Sequence, residues 1–387
     1  MDRYIKSSVL ADLDKKIVLI SGPRQVGKTT LSKNLKTHFE YMNYDYLEDR
    51  ILIKEKSWRR DVDLVIFDEI HKMSEWKRWL KGIYDREQNK PNIVVTGSAN
   101  LESYSKVGDS LAGRYFPFRL HPIDIREAMI IWKEKPEESF NKLMVVGGFP
   151  EPYIQEDETY YRRWQRTHLD IILKQDLLDL KTVKSLKSIE TLIAILATRV
   201  GSNIAFANIA RDLEVDPKTI KEWMRLLENL YAIFLVPPYH KNIARALLKE
   251  PKCYFFDNGR VVDKPGMRLE NLVACALKKA CHFFEDTQGK SAELFYMRTK
   301  DGLEIDFLIT IDKQPFAAFE IKTSETEISK AFAHFQQYIR IPHQYQLVNE
   351  LSREKDFMNG VKVRNLVNFL ANLDLAQMPV IRNWQII

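Results

Sequence analysis

Residues 22–29 read Gly-Pro-Arg-Gln-Val-Gly-Lys-Thr, and the fold of the first part of the chain can be predicted from them. It follows an apolar run at 17–20 and precedes a helical sequence beginning at Lys28, so it fits G-x-x-x-x-G-K-[ST] between a strand and a helix. The two glycines let the backbone wrap around phosphate groups, while Lys28 neutralises their charge and Thr29 offers a hydroxyl to Mg2+. We therefore predict a nucleotide-binding loop formed by Gly22, Pro23, Arg24, Gln25, Val26, Gly27, Lys28, Thr29 and Thr30.

A second apolar run, residues 64–67, ends in two carboxylates, Asp68 and Glu69. At the carboxyl end of a strand, Asp68 can hold Mg2+. Glu69 beside it can polarise a water for attack on the γ-phosphate. The two segments together predict a nucleoside triphosphate site of the P-loop class.

Three further residues each have two interpretations. Ser98 follows the strand-forming run 93–95, and it either orients the attacking water or belongs to a strand-ending turn. Arg114 either senses or stabilises the γ-phosphate or forms an ordinary surface ion pair. Arg24 either contacts phosphate or is a solvated position of the loop.

Short apolar runs alternate with helical stretches over about the first 130 residues, which predicts an α/β fold with a parallel sheet. The middle of the chain reads as a helical connector followed by helix, turn, helix and hairpin, the order of a winged helix-turn-helix. Asp216 and Pro217 mark the start of its second helix. The last part predicts a helix, three strands, a helix, a strand and a terminal helix near 363–373. We expect three domains: 1–130, 131–262 and 263–387.

Basic residues mark the winged segment. They are Lys218, Lys221 and Arg225 on the second helix, and Lys241, Arg245, Lys249 and Lys252 on the predicted wing. Contacts of such side chains with phosphates supply affinity for DNA more than sequence selectivity. The alternative is a module used for protein contacts or as an internal spacer, with a solvated basic face.

A second set of candidate catalytic residues lies in the last part of the chain. Asp306 lies in the run LEIDFLI, and Glu320 and Lys322 lie on one face of the next predicted strand. Metal-dependent phosphodiester cleavage uses such a set, because the acids hold Mg2+ and the lysine orients water and offsets developing charge. Glu270, on the preceding helix, is a candidate further acid. The alternative is a solvated face, or a nuclease-like fold without activity.

The runs GPRQVGKTT, FDEIHK, VTGSAN, GDSLAGRYF and GGFPEPY resemble those of a large prokaryotic group of predicted AAA+-type ATPases, close to the archaeal-ATPase branch. Members of this group carry an AAA-type ATPase domain followed by a C-terminal domain of unknown function. The resemblance implies ATP and Mg2+ as ligands. It also implies Lys28 and Thr29 as phosphate-loop residues, Asp68 as a magnesium ligand and Glu69 as the catalytic carboxylate.

The C-terminal segment has a resemblance of its own. Its order of elements is similar to that of the PD-(D/E)XK nuclease superfamily, which implies a restriction-endonuclease-like α/β domain. Asp306, Glu320 and Lys322 match the D…E-x-K core of that superfamily, and Glu270 matches its helical acid.

Composition limits the classes of protein that remain. The 387 residues include 59 Lys+Arg and 53 Asp+Glu, and the net charge of +6 permits a polyanionic partner without requiring one. A hydrophobic content of 45% excludes wholesale disorder and collagen-like architecture. Three widely spaced cysteines favour a reducing compartment. From this cysteine usage we expect a cytoplasmic protein. Because the sequence has no apolar run of about 18 residues, we expect no membrane span.

The sequence therefore predicts a Mg2+-dependent AAA+-type protein that binds and hydrolyses ATP, binds DNA and carries a nuclease-like C-terminal domain. The alternative is a nucleotide-gated binding or regulatory protein whose nuclease-like fold is non-catalytic. A homo-oligomer in which Arg114 acts on a neighbouring protomer is one arrangement that stays open.

Overall fold

Parallel strand pairing organises the first part of the protein, which confirms the predicted α/β fold. The computed structural model describes residues 2–98, 111–173, 186–240, 250–262, 264–325 and 327–378. The strands here are β1 (Ile17–Ser21), β2 (Phe39–Asn43), β3 (Leu64–Asp68), β4 (Asn92–Gly97) and β5 (Tyr115–Arg119). The helices are α1 (Lys6–Leu13), α2 (Lys28–Lys33), α3 (Leu47–Glu55) and α4 (Trp76–Glu87). Within the described ranges these strands form one parallel sheet in the order β2-β3-β4-β1-β5.

The order of the strands brings distant segments of sequence to one edge of this sheet. β4 lies between β1 and β3, with Thr96 paired to Ile20 on one side and to Asp68 on the other. Since the strands run parallel, their carboxyl ends meet at the same edge. The phosphate loop after β1, the acids at the end of β3 and Ser98 after β4 therefore share that edge.

Both faces of the sheet are covered, which explains the continuous apolar runs in β1 and β3. Every residue of these two strands is buried. On one face, Val18 and Ile20 pack in a cluster with Leu31 of α2. On the other, Phe67 packs in a cluster with Leu80 of α4. The sheet is thus a rigid support for the loops at its edge.

The middle of the chain is helical and ends in a hairpin. Its elements are α5 (Ile125–Trp132), α6 (Pro136–Val146), α7 (Pro150–Gln155), α8 (Glu158–Ile171), α9 (Leu186–Ala197), α10 (Phe206–Asp212), α11 (Pro217–Asn229), β6 (Ile233–Val236) and β7 (Lys252–Phe255). The prediction for α11 is confirmed: it begins at Pro217, and the Asp216 side chain caps it by accepting from the Lys218 amide at 2.7 Å. β6 and β7 pair antiparallel.

The last part contains the predicted helix, three strands, helix and strand. Its elements are α12 (Pro265–Gln288), β8 (Ala292–Arg298), β9 (Glu304–Ile311), β10 (Gln314–Ser324), α13 (Lys330–Phe335), β11 (His343–Glu350), β12 (Lys355–Asp356), β13 (Val361–Asn365) and α14 (Leu366–Ala371). The described strands form a mixed sheet in the order β12-β13-β11-β10-β9-β8.

The prediction of a terminal helix beginning near Val363 is wrong at its N-terminal end. Residues Val361–Asn365 form strand β13, and α14 begins only at Leu366. Val361 and Val363 are buried while the residues between and after them are partly exposed, the period of two typical of a strand. A parallel partner, β11, stabilises this strand.

Helix α12 joins the two sheets. It is 24 residues long, and the acid Glu270 lies near its N-terminus. Near its C-terminus, Asp286 accepts hydrogen bonds from the Arg119 backbone amide at 2.8 Å and from Arg119 Nε at 3.0 Å. One helix therefore carries a candidate acid at one end and contacts the edge strand β5 at the other.

Candidate functional site

The backbone of the phosphate loop binds Lys28, the lysine of the sequence motif. Lys28 Nζ donates to the carbonyl oxygens of Gly22 at 2.8 Å and Pro23 at 2.6 Å, and its side chain is buried. Gly22 has φ +149°, and a Cβ at this position would lie 2.2 Å from the carbonyl oxygen of Leu120. Only glycine fits there, so the close approach of two backbones explains the first glycine of the motif. Val26 is buried in the core beneath the loop.

The Asp68 carboxylate accepts hydrogen bonds from three hydroxyl groups. Thr29 Oγ1 and Tyr41 Oη each donate to Asp68 Oδ2 at 2.8 Å, and Thr96 Oγ1 donates to Oδ1 at 2.5 Å. Burial and the neighbouring charge of Asp68 raise the pKa of Tyr41, which keeps that phenol a donor. The hydroxyl of Thr29 and the carboxylate of Asp68, both predicted magnesium ligands, thus meet at one point. This oxygen donor pair fits Mg2+ bound together with nucleotide phosphates.

Glu69 lies beside this pair in a left-handed backbone conformation, with φ 56°. Ser98 Oγ donates to Glu69 Oε2 at 3.3 Å, and His71 Nε2 lies 3.6 Å from the same oxygen. Burial raises the pKa of Glu69, against the charges of Lys28 and Arg24, which lower it. Burial lowers the pKa of His71 to about 4, so its imidazole is neutral near pH 7. The structure therefore places Ser98, a predicted site residue, within hydrogen-bond distance of Glu69, the predicted catalytic carboxylate.

An open cleft of about 740 Å³ contains these groups. Its walls include most of the predicted site: Arg24, Gln25, Gly27, Lys28, Thr29, Thr30, Asp68, Glu69 and Ser98. A second wall, which no sequence motif predicts, comes from α7 and the end of α8: Pro150, Glu151, Ile154, Gln155 and Ile171. The run GGFPEPY leads into this wall. Its Gly148 packs so closely on the backbone that a Cβ there would lie 2.3 Å from the Ile123 carbonyl oxygen, so this position requires glycine. Ile154 is 51% exposed, so this wall presents an apolar side chain to the cleft.

Arg114 lies away from the cleft within its own chain. It immediately precedes β5, whose first residue, Tyr115, pairs with Ile17 at the start of β1. The phosphate loop follows the opposite end of β1. Arg114 Nε instead contacts Asp85 Oδ1 at 2.6 Å. This contact is the surface ion pair, one of the two interpretations of Arg114. The other interpretation, contact with the γ-phosphate, would need the nucleotide of a neighbouring protomer.

The C-terminal candidates also come together. Lys322 Nζ donates to Glu320 Oε1 at 2.7 Å, and Asp306 Oδ2 accepts from the Ile321 amide at 2.8 Å. Burial raises the pKa of Asp306, and the negative charges of Glu270 and Glu320 add to this effect. Burial also raises the pKa of Glu320, against the charge of Lys322. The predicted residues on β9 and β10 are therefore neighbours in a buried, acidic environment.

Lys252 is the unexpected member of this cluster. Its predicted place on the exposed surface of the wing is wrong, because only 1% of its side chain is accessible. Lys252 Nζ lies 2.5 Å from Glu304 Oε1, 3.2 Å from Glu270 Oε1 and 3.8 Å from Asp306 Oδ1. The basic run around Lys252 suggested a solvated loop, whereas long-range ion pairs with α12 and β9 bury this side chain. We call Glu270, Glu304, Asp306, Glu320 and Lys252 the acid cluster.

As arranged, the predicted magnesium ligands of the acid cluster do not fit a divalent cation. Glu270 Oε1 accepts from Tyr254 Oη at 2.7 Å and pairs with Lys252, and Glu320 pairs with Lys322. Across the described residues, no group of three or more His, Cys, Asp or Glu side chains is placed to hold a metal ion. The cation that the described structure places among these acids is an ammonium.

A buried ion network ties the phosphate loop to α12. Arg3 Nη1 donates to the Val26 carbonyl oxygen at 3.0 Å, and Arg3 Nε donates to Glu127 Oε1 at 2.8 Å. Lys279 of α12 donates to Glu127 Oε2 at 2.6 Å. Burial opposes ionisation of Glu127, but these two cations outweigh it and lower the pKa of the carboxyl. Nearby, His121 Nε2 and His282 Nδ1 share a hydrogen bond of 2.8 Å.

Part of the predicted basic surface is present. Lys218, Lys221 and Arg225 are exposed on α11, while Ile220, Met224 and Leu227 on its other side are buried. The other predicted wing residues, Lys241, Arg245 and Lys249, lie outside the described residues. The described helix thus presents a positively charged outer face.

Models of three protein families match successive segments of the chain. An AAA domain matches residues 14–129, a domain of unknown function (DUF8612) matches 137–263, and a domain of unknown function (DUF4143) matches 265–367. The chain is an AAA-domain protein with a C-terminal DUF4143 domain. The resemblance found in the sequence, an AAA-type ATPase domain followed by a C-terminal domain of unknown function, is confirmed.

Similar proteins come from bacteria and archaea. An uncharacterized protein of Haemophilus influenzae is 26% identical, over 92% of this chain and 94% of its own length. An uncharacterized protein of Methanocaldococcus jannaschii is 23% identical, over 85% of this chain and 80% of its own. Among solved structures, the Orc1 protein of Aeropyrum pernix in complex with DNA aligns at 13% identity and a TM-score of 0.30, over 69% of this chain and 91% of its own. At that TM-score the alignment does not establish a shared fold.

A membrane span requires a helix of about 20 predominantly apolar residues. Within the described ranges, none is both long enough and apolar enough to cross a bilayer.

Proposed function

We propose that this AAA-domain protein binds and hydrolyses ATP with Mg2+. The observation that carries the proposal is the contact of Thr29 with Asp68 beside Glu69, at the edge of the sheet that also holds the phosphate loop. Thr29 and Asp68 would hold Mg2+, which neutralises charge on the phosphate oxygens when bound. The match of an AAA domain to residues 14–129 supports the same proposal.

Each remaining residue has a role that follows from its contacts. Lys28, held over the loop by two carbonyl oxygens, neutralises the β and γ oxygens. Glu69 accepts a proton from the attacking water or orients it, and Ser98 fixes the carboxylate by donating to Oε2. The apolar side chain of Ile154 gives the far wall a surface on which a flat base can lie.

Equilibrium binding of a fluorescent ATP analogue with Mg2+ tests nucleotide binding. Lys28→Ala removes the buried ammonium and should weaken binding by about tenfold or more. Lys54→Ala, at an exposed lysine of α3, is the matched control and should bind as the wild type does. Equal affinity of Lys28→Ala and wild type would contradict the proposed site.

We further propose that α11 contacts DNA. Its exposed Lys218, Lys221 and Arg225 support this, as does the helix, turn, helix and hairpin order of a winged helix. Anisotropy of labelled duplex DNA should show binding that weakens as salt rises. Replacing all three basic residues by Gln should lower the slope of log K against log salt by up to about 3, one for each lost phosphate contact.

The matched control for DNA binding removes three exposed charges elsewhere. Lys54 of α3, Arg86 of α4 and Lys133, which follows α5, are exposed, and their replacement by Gln changes the net charge equally. The control should keep the wild-type salt slope. The same loss in both triple variants would mean that net charge alone drives binding, and would argue for a protein-contact role of α11.

We propose that the chain divides into three domains, 1–130, 131–262 and 263–387. For the third domain we propose a nuclease-like fold in a non-catalytic arrangement. The order of elements and the meeting of Asp306, Glu320 and Lys322 support the fold. The pairing of Lys252 with three acids favours the nucleotide-gated regulatory alternative. Supercoiled DNA incubated with protein and Mg2+ or Mn2+ should stay intact, and cleavage that Lys322→Ala abolishes would restore the nuclease hypothesis.

Arg114 provides a test for action between protomers. We propose that any action of Arg114 on nucleotide is on that of a neighbouring copy, since Arg114 lies beyond the opposite end of β1 from its own phosphate loop. Mixing inactive Arg114→Ala and Lys28→Ala chains should then restore part of the ATP hydrolysis. Rates strictly linear in protein concentration, without rescue, would leave Arg114 as the partner of Asp85 alone.

A further inference from the structure

We propose that Lys252 is the resident cation of the acid cluster and excludes a divalent metal ion from it. The acid cluster is separate from the ATP cleft. The ammonium of Lys252 occupies the place that a metal would take among Glu270, Glu304 and Asp306.

The geometry is that of a cation site filled by nitrogen. An ammonium has three N–H donors and no acceptor, and the Nζ of Lys252 lies within ion-pair distance of three separate carboxylates. On another side, Nζ lies 5.5 Å from the centre of the Tyr296 ring. Tyr254 Oη donates to Glu270 Oε1 as well. The positive charge is thus surrounded by acids and an aromatic face, and water has almost no access to it.

A divalent ion cannot share this position with the ammonium. Mg2+ binds carboxylate oxygens at about 2.1 Å, so an ion on the cluster-facing oxygens of Glu270 and Asp306 would lie within a few ångström of Nζ. Repulsion between the two cations is strong here because the surroundings are buried and weakly screened. Metal binding and occupancy by Lys252 therefore exclude each other.

Lys252 is also held firmly in place. It is the first residue of β7, paired with Val236 of β6, and it forms a further bridge with Asn203. The acids come from α12, β9 and β10, which belong to a later segment of the chain. The backbone of Lys252 can move away from these acids only if the β6–β7 hairpin moves relative to α12 and the second sheet.

One oxygen shows where a metal could bind once the lysine is gone. Glu320 Oε2 is buried and has no hydrogen-bond partner among the described residues. Its other oxygen is held by Lys322 at 2.7 Å. Together with Asp306, this unpartnered oxygen provides hard oxygen ligands of the type that Mg2+ and Mn2+ prefer.

The test is a Mn2+ titration of the full-length, nucleotide-free chain, followed by the electron paramagnetic resonance signal of free Mn2+. Wild type and Asp306→Asn should bind the same number of Mn2+ ions. Lys252→Met should gain about one Mn2+ per chain, and the double variant Lys252→Met/Asp306→Asn should lose it again. Lys252→Arg keeps the positive charge and should behave as the wild type does.

Two results would overturn the inference. One is a Mn2+ site in the wild type that Asp306→Asn removes, since the cluster would then bind metal with Lys252 present. The other is a folded Lys252→Met chain that gains no site. If Lys252→Met does not fold, the comparison of wild type with Asp306→Asn still decides. ATP hydrolysis, measured on the same samples, reports separately on the proposed ATPase and does not affect this outcome.

Discussion

The hydroxyl of Thr29 donates to the carboxylate of Asp68 over 2.8 Å, although the two residues are 39 positions apart. Thr29 lies in the first turn of α2 and Asp68 at the end of β3, with β4 between their strands. The sheet order therefore assembles the predicted Mg2+ ligands from two segments. Four hydroxyl groups surround the two acids of this edge, from Thr29, Tyr41, Thr96 and Ser98.

Asp68→Asn should raise the Mg2+ concentration needed for ATP hydrolysis by about tenfold or more, because the amide keeps one oxygen but loses the charge. The measurement is phosphate release as a function of Mg2+ at fixed ATP. Asp61→Asn, at an exposed acid of the same domain, is the control and should leave the curve unchanged. An unchanged Mg2+ requirement in Asp68→Asn would remove Asp68 from the metal site.

Arg3→Met should destabilise the protein by about 3 kcal/mol, because it breaks a buried ion pair and leaves the Glu127 carboxylate with a single cation. It also removes the donor to the Val26 carbonyl in the phosphate loop, so ATP affinity should fall with stability. Urea unfolding and ATP binding measure the two effects.

Arg59→Met serves as the control for Arg3. Its guanidinium pairs with Asp61 in an exposed position, and exposed pairs contribute little. Arg59→Met should leave both the unfolding midpoint and ATP affinity at wild-type values. A similar loss in the two variants would show that the Arg3 network has no special role.

Stability should fall as the pH drops below about 6.5, and the pair His121 and His282 should contribute to this fall. Burial lowers the pKa of both imidazoles well below their ordinary value, so they stay neutral in the folded state. The unfolded chain binds their protons instead, and acidification therefore favours unfolding. Each histidine contributes up to about a tenfold change in the unfolding constant per pH unit.

Replacing both histidines by Gln should flatten the dependence of the unfolding free energy on pH between about 6.5 and 5. A slope that does not change in His121→Gln/His282→Gln would mean that these imidazoles are protonated in the folded protein.

Gly201→Ala should destabilise the protein more than Gly289→Ala does. Both glycines have positive φ, +73° and +67°, and so carry the same backbone cost, about 1 kcal/mol. A Cβ on Gly201 would also lie 2.7 Å from both carboxylate oxygens of Glu270, whereas a Cβ on Gly289 meets nothing within 4 Å. The excess in unfolding free energy measures how firmly the acid cluster holds Glu270. Equal losses would mean that Glu270 moves freely.

The parts of the site that local sequence encodes could be predicted. Backbone curvature around phosphate requires Gly22 and Gly27 at a fixed spacing, and an apolar strand ending in Asp68 and Glu69 is readable without knowledge of distant contacts. For the same reason, the capped start of α11 at Asp216 was predictable, because capping depends on neighbouring residues only.

The remaining parts depend on contacts between distant segments. No sequence motif predicts a role for Tyr41, which reaches Asp68 only because β2 pairs with β3. Lys252 lies in a basic run that is typical of a solvent-exposed loop, yet its side chain is buried against three acids from α12 and β9. Arg114 lies in a family motif, but its strand begins at the edge of the sheet opposite to the phosphate loop.

Phosphate release from Glu69→Gln with Mg2+ shows most directly whether Glu69 acts on ATP held at the phosphate loop. We predict ATP binding equal to that of the wild type and hydrolysis slower by about a hundredfold or more, because the amide cannot take a proton from water. Glu55→Gln, at an exposed residue of α3, should hydrolyse ATP at the wild-type rate. Hydrolysis by Glu69→Gln at the wild-type rate would show that Glu69 is not the catalytic carboxylate.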